Sequence, residues 1–205
     1  MAGPRKYIAV AGNIGAGKST LVDFLRYRFD LTPFHEPNAD NPFLPAFYAD
    51  MKRWSFHSQI FFLTHKFRIH QELTNHPGTV VQDRTIYEDA EVFAENLYRT
   101  GRLTKDEHAA YRELYEAIVR TLRPPDLMIY LRAEVRTVRR RIRLRGRPEE
   151  QAIPLRYIQR LHALYEEWFD RYDRSPTLVI PVDRLDYVQD LIARIEIIET
   201  IEQYL

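Results

Sequence analysis

The amino-acid sequence predicts an α/β fold: a five-stranded parallel sheet with helices on both faces. Short β-rich runs alternate with longer stretches of helical period along the 205 residues, the pattern of strand–helix–strand units. One run, Leu127-Met128-Ile129-Tyr130-Leu131, is continuously apolar, as expected of a strand buried on both faces. The composition, 45% apolar and 29% charged, supplies a sizeable core and excludes a disordered or collagen-like chain. With no linker, internal repeat or low-complexity segment, residues 1–205 read as one domain.

The elements follow in order. Tyr7-Ile8-Ala9-Val10-Ala11 is the first strand. A helix runs from Lys18 to about Phe29, with Leu21, Val22, Leu25 and Phe29 on one face. A weak strand covers Leu31 to His35, and a helix lies near 53–75. Val80-Val81 opens a strand that ends at Asp83. A helix near 105–122 stops at Pro124-Pro125, ahead of the Leu127 strand. Helices near 134–145 and 154–172 come next, the second with Pro154 in its first turn. Leu178–Val182 is the last strand. A final helix over about 186–203 is expected to bury Val188, Leu191, Ile192, Ile195, Ile198 and Ile201 as one stripe.

Charge and cysteine usage narrow the function classes. The formal net charge is +1 and there is no Cys, so a disulfide framework, a zinc-thiolate site and a thiol nucleophile are excluded. The first apolar run breaks at Gly12-Asn13, far short of the ~20 residues of a membrane span. The expectation is a cytoplasmic protein with no membrane and no nucleic-acid partner. Eight arginines against one acid, Glu134, lie between Arg132 and Arg147. That local cluster suits a small anionic ligand; a solvated helix face is the alternative.

Gly12-Asn13-Ile14-Gly15-Ala16-Gly17-Lys18-Ser19 fits G-x-x-x-x-G-K-[ST] and lies between a strand and a helix that continues through Thr20. Glycines let the backbone wrap an anion, and the helix N-terminus adds partial positive charge. Lys18 can reach the β- and γ-phosphates and Ser19 can ligate Mg²⁺. The motif implies a nucleoside triphosphate.

Residues for an acceptor lie beyond other strand ends, where α/β sheets bind ligands. Glu36 follows the second strand and could accept a proton from a hydroxyl; a surface turn is the alternative. The stretch 41–59 is aromatic-rich with polar tips, fit for a flat heterocycle and a sugar, or for core packing. Gln59 and Lys66, seven apart, share a helix face. Asp83 can hold Mg²⁺ or act as base, and Arg84 can bridge a hydroxyl and a transferred phosphate. Arg141, Arg143, Arg145 and Arg147 precede Pro148-Glu149-Glu150 and Pro154, which reads as an arginine-rich lid over about 143–153.

The ordered set resembles the deoxyribonucleoside kinase family, in its bacterial deoxyadenosine/deoxyguanosine kinase branch. The residues that carry the resemblance are the 12–19 loop, Glu36-Pro37, Asn41-Pro42-Phe43-Leu44 with Phe47-Tyr48, Arg53-Trp54-Ser55-Phe56 with Gln59, Asp83-Arg84-Thr85-Ile86-Tyr87-Glu88-Asp89, and Arg145-Gly146-Arg147-Pro148-Glu149-Glu150. It implies a P-loop kinase fold and a homodimer. Glu36 is then the general base and Arg84 the arginine on the 5′-hydroxyl and phosphate, with Asp83 on the metal side or as base. Tyr48 and Glu150 bind the sugar 3′-hydroxyl, Gln59 reads the base edge, and Lys66 and Asp89 lie near the nucleobase. Arg145 and Arg147 match lid arginines, and Arg141 the arginine before the lid. Lys66 stands where many relatives carry Arg, a point donor in place of a planar fork.

The expected reaction is transfer of the γ-phosphate of Mg-ATP to the 5′-hydroxyl of a purine deoxynucleoside, deoxyadenosine or deoxyguanosine, with deoxycytidine as a second candidate. The rivals are a nucleoside-monophosphate kinase of the thymidylate-kinase type and a non-catalytic nucleotide-binding module. Against the first, residues 36–59 offer only Lys52 and Arg53 as cations for a substrate phosphate.

Overall fold

A computed structural model describes residues 6–35, 41–151, 153–183 and 191–204. Strands β1 (Tyr7–Gly12), β2 (Thr32–Phe34), β3 (Val80–Asp83), β4 (Leu127–Arg132) and β5 (Thr177–Pro181) form one sheet in the order β2-β3-β1-β4-β5. Every pairing is parallel. Alternate residues of β1 enter different cores. Tyr7, Ala9 and Ala11 pack on one face and Ile8 and Val10 on the other, all buried. That two-sided burial is why the run lacks an apolar–polar alternation. The weak signal at β2 and the mixed exposure of β5 belong to the two edge strands.

The helices are α1 (Lys18–Phe29), α2 (Leu44–Ala49), α3 (Met51–Thr74), α4 (Ile86–Glu88), α5 (Glu95–Arg99), α6 (Lys105–Val119), α7 (Val135–Arg145), α8 (Pro148–Gln151), α9 (Leu155–Phe169) and α10 (Leu191–Glu202). A π-helical segment, Asp89–Ala94, joins α4 to α5. The core with Tyr7 receives α3, α6 and α9; the core with Ile8 receives α1, α7 and α10. The sequence pattern misses α2 and the 86–99 helical stretch. The first is under two turns long, and the second has its 3.6 period broken by the π segment. In α10, Ile197 and Ile201 are buried while Ile195 is 45% exposed, so the stripe is rotated from the expected one. Val188 of that stripe lies outside the described residues.

Parallel strands present all their carboxyl ends at one edge. The register aligns Val10 with Asp83, so the loop after β1 and the turn after β3 are neighbours. β1 has β3 on one side and β4 on the other, both later in the chain. This is the crevice where open α/β sheets take ligands.

Candidate active site

A cavity of about 520 Å³ opens at that edge, lined from β1–α1, β2, α2, α3, the turn after β3, the π segment and the α7–α9 region. Ile14, Gly15, Lys18 and Ser19 of the phosphate loop line it. Gly12 has φ 149°, and a Cβ there would meet the Leu131 carbonyl oxygen at 3.0 Å, so the loop leaves β1 hard against β4. Gly15 has φ 75°, and its Cβ would meet Ile142 at 3.0 Å. Both positions need glycine for backbone conformation and for space.

Inside the loop, Lys18 Nζ donates to the carbonyl oxygens of Gly12 at 2.9 Å and Asn13 at 3.2 Å. Asn13 Oδ1 accepts from the Ile14 N–H at 2.8 Å, which shapes the first loop turn. Gly17 is the N-cap residue of α1, so the helix begins at Lys18 and aims its N-terminal dipole into the cavity. Thr20 is exposed in the first turn. Arg141 does not line the cavity. Its guanidinium donates to the Ala16 carbonyl at 2.6 Å and the Val182 carbonyl at 3.1 Å, bracing the loop from behind.

The turn after β3 forms the floor. Ser19 Oγ donates to Asp83 Oδ2 at 2.6 Å. Asp83 Oδ1 is buried and has no hydrogen-bond partner among the described residues. Arg84 has φ 62°, a left-handed conformation rare for a residue with a side chain. Its N–H donates to the Val10 carbonyl at 3.0 Å, and its guanidinium lies over the Phe93 ring at 4.5 Å. Lys66, expected beside the nucleobase, is fully buried under this turn and donates to the Arg84 carbonyl at 2.6 Å.

Gln59 and Asp89 also line the cavity, with Leu44, Phe47, Tyr48, Phe62, Phe93 and Tyr157. Gln59 Oε1 is buried without a partner among the described residues. An amide aimed into an aromatic-walled space suits a planar ligand with donor and acceptor edges. Burial pushes the Tyr157 phenol well up, so it stays protonated. Over the mouth, Arg145 donates to Glu150 Oε2 at 2.6 Å and Arg147 lies 3.6 Å from Glu150 Oε1. Glu36 lies outside the described residues.

Several site residues were absent from the sequence reading. Phe62 follows Gln59 by three and was legible as its helical neighbour. Phe93 was not, because the π segment decides which side chains reach the cavity. Tyr157 is brought in from α9 by the tertiary packing alone. Glu88, present in the sequence reading only as part of the 83–89 motif, is fully buried.

Among the described residues no group of three or more acidic or histidine side chains is arranged to hold a metal ion by itself. A magnesium ion shared with substrate phosphates needs only one or two protein oxygens. The free oxygen of Asp83 beside the Ser19 hydroxyl fits that requirement.

A glycine loop closing on a helix N-terminus, at the crevice of a parallel sheet, defines a P-loop nucleoside-triphosphate-binding protein. The family profile "Deoxynucleoside kinase" matches residues 8–205, and the chain belongs to that family. It is 37% identical over 185 residues to a deoxyadenosine/deoxycytidine kinase of Bacillus subtilis, covering 89% of this chain and 85% of the relative. It is also 37% identical over 190 residues to a deoxyguanosine kinase of Lactobacillus acidophilus, covering 88% of this chain and 82% of that one. The solved structure of deoxyadenosine kinase from M. mycoides with bound dATP superposes with a TM-score of 0.83 at 30% identity, covering 97% of this chain and all of that one. Family membership sets aside the nucleotide-binding module and the nucleoside-monophosphate kinase. No described helix is long and apolar enough to cross a membrane.

Proposed function

We propose that this deoxynucleoside kinase phosphorylates the 5′-hydroxyl of purine deoxynucleosides, deoxyadenosine or deoxyguanosine, with ATP as donor and Mg²⁺ as cofactor, and accepts deoxycytidine as a second substrate. The observation that supports the reading is one cavity lined at once by Lys18 and Ser19 of the phosphate loop, by Asp83 and Arg84, and by Gln59 and Asp89. The names of the two bacterial relatives above cover deoxyadenosine, deoxyguanosine and deoxycytidine, which supports that range.

Catalysis is alignment and charge neutralisation. The loop N–H groups and Lys18 hold the β- and γ-phosphates. Ser19 and Asp83 would hold Mg²⁺, which supplies positive charge to the phosphate oxygens when bound. Arg84 orients the 5′-hydroxyl against the transferred group, and Glu36 takes its proton. Tyr48 and Glu150 hold the sugar 3′-hydroxyl while Gln59 and Asp89 grip the base. Arg145 and Arg147 close over the triphosphate and exclude water, which would otherwise compete as acceptor. Arg141 contributes by holding the phosphate loop in shape.

The reading takes residues 1–205 as one domain of a cytoplasmic homodimer. The test is a panel of the four natural deoxynucleosides, their monophosphates and ribose analogues, each with Mg-ATP. Turnover of a purine deoxynucleoside above the others supports the proposal; preference for thymidine overturns it.

A further inference from the structure

Glu88 touches neither the cavity nor solvent: it is 0% exposed and does not line the site. Its Oε2 accepts from the Thr85 N–H at 2.9 Å. That contact alone is an ordinary cap on the first turn of α4. The other oxygen goes elsewhere. Oε1 accepts from the Gly12 N–H at 3.1 Å and from the Tyr165 hydroxyl at 3.0 Å, and lies 4.0 Å from Arg84 Nε. One carboxylate therefore joins the exit of β1, the turn that carries Arg84, and α9.

Capping contributes about 1 kcal/mol, and a surface carboxylate would do it. Taking a carboxylate wholly out of water costs several kcal/mol unless it is fully bonded. Burial raises the Glu88 pKa, while Arg84, Lys18 and the peptide N–H groups of Thr85 and Gly12 work against that. A side chain placed at such expense, and accepting from three separate segments, does more than cap the start of α4. Arg84 needs that support. Its backbone is left-handed at φ 62°, a strained state that persists only where neighbours over-determine it.

We propose that Glu88 is a positioning residue, whose carboxylate locks the first glycine of the phosphate loop to the Arg84 turn and so keeps the donor and acceptor halves of the site in register. The inference rests on the reading of Arg84 as the residue that orients hydroxyl and phosphate.

The test is a double-mutant cycle of Glu88→Gln with Arg84→Ala, measuring kcat, both KM values and the thermal unfolding midpoint. Glu88→Gln keeps the shape and loses the charge. Its kcat should fall by about 10²-fold with both KM values little changed, as misalignment remote from the chemistry does. In the Arg84→Ala background the same change should cost less than about threefold, because interacting residues are not additive. An equal loss in both backgrounds, or a fall in the unfolding midpoint with kcat of the folded enzyme intact, overturns the inference. If Glu88→Gln does not fold, Tyr165→Phe removes one donor to Oε1, and its smaller fall in kcat must vanish in the Arg84→Ala background. An Arg84→Ala enzyme of full activity removes the reading of Arg84 and this inference with it. An impaired Arg84→Ala beside a fully active Glu88→Gln removes the inference alone.

Discussion

The ammonium of Lys66, fully buried on α3, donates to the backbone carbonyl of Arg84 at 2.6 Å. A side chain expected to read a nucleobase is thus found holding a strained turn. Lys66→Met leaves that buried carbonyl short of a donor, which should destabilise the fold by about 1–3 kcal/mol. The two roles separate by substrate. A clamp on Arg84 lowers kcat by the same factor for every deoxynucleoside, whereas a base reader changes the ratio between adenine and cytosine substrates. A kinetic panel on the variant decides which.

Asp83 accepts from Ser19 with one oxygen and leaves the other free for a cation. Asp83→Asn should raise the free Mg²⁺ needed for half-maximal activity by about 10–100-fold, with little change in deoxynucleoside KM. A titration of activity against Mg²⁺ at saturating ATP measures it. An unchanged Mg²⁺ requirement with collapsed kcat would transfer the proton-accepting role to Asp83.

Glu36→Gln should lower kcat by ~10²–10⁴-fold, the span of general-base catalysis. Calorimetric binding of the deoxynucleoside should stay near that of the parent. Near-normal turnover would show that another group collects the proton.

Glu150 pairs with Arg145 at 2.6 Å and with Arg147 at 3.6 Å. Glu150→Ala should weaken deoxynucleoside binding and spare ATP if the carboxylate also meets the sugar 3′-hydroxyl. Separate KM measurements for the two substrates settle the matter, since a residue that serves only to hold the lid would weaken both alike.

His70 is buried against the Tyr7 ring, and burial lowers its pKa from 6.5 to about 4. The folded chain therefore binds this proton more weakly than the unfolded chain. Stability is full above pH 6.5 and falls as the pH drops toward 4. At 1.36 kcal/mol per pKa unit the loss approaches about 3 kcal/mol. Thermal unfolding across that range should show the slope, and His70→Phe should flatten it.

Local pattern carried much of the architecture. The strands β1, β3 and β4 were legible because a short apolar run buried on both faces looks the same wherever it sits. The phosphate loop was legible because its chemistry lies within eight consecutive residues, Gly12 to Ser19. The Asp83-Arg84 pair was legible for the same reason, as neighbours at a strand end. The assignments that needed three dimensions involve residues far apart in the chain. Glu88 meets Tyr165 across 77 positions and Gly12 across 76, and no periodicity announces such contacts. Burial set the Lys66 ammonium against the Arg84 carbonyl, a contact 18 positions away. The π segment after α4 set which side chains face the cavity, because one inserted residue rotates everything that follows. Propensity and spacing act between near neighbours, so they settle elements and contiguous motifs. The partners of a buried charge depend on which elements pack together, and that only the folded chain decides.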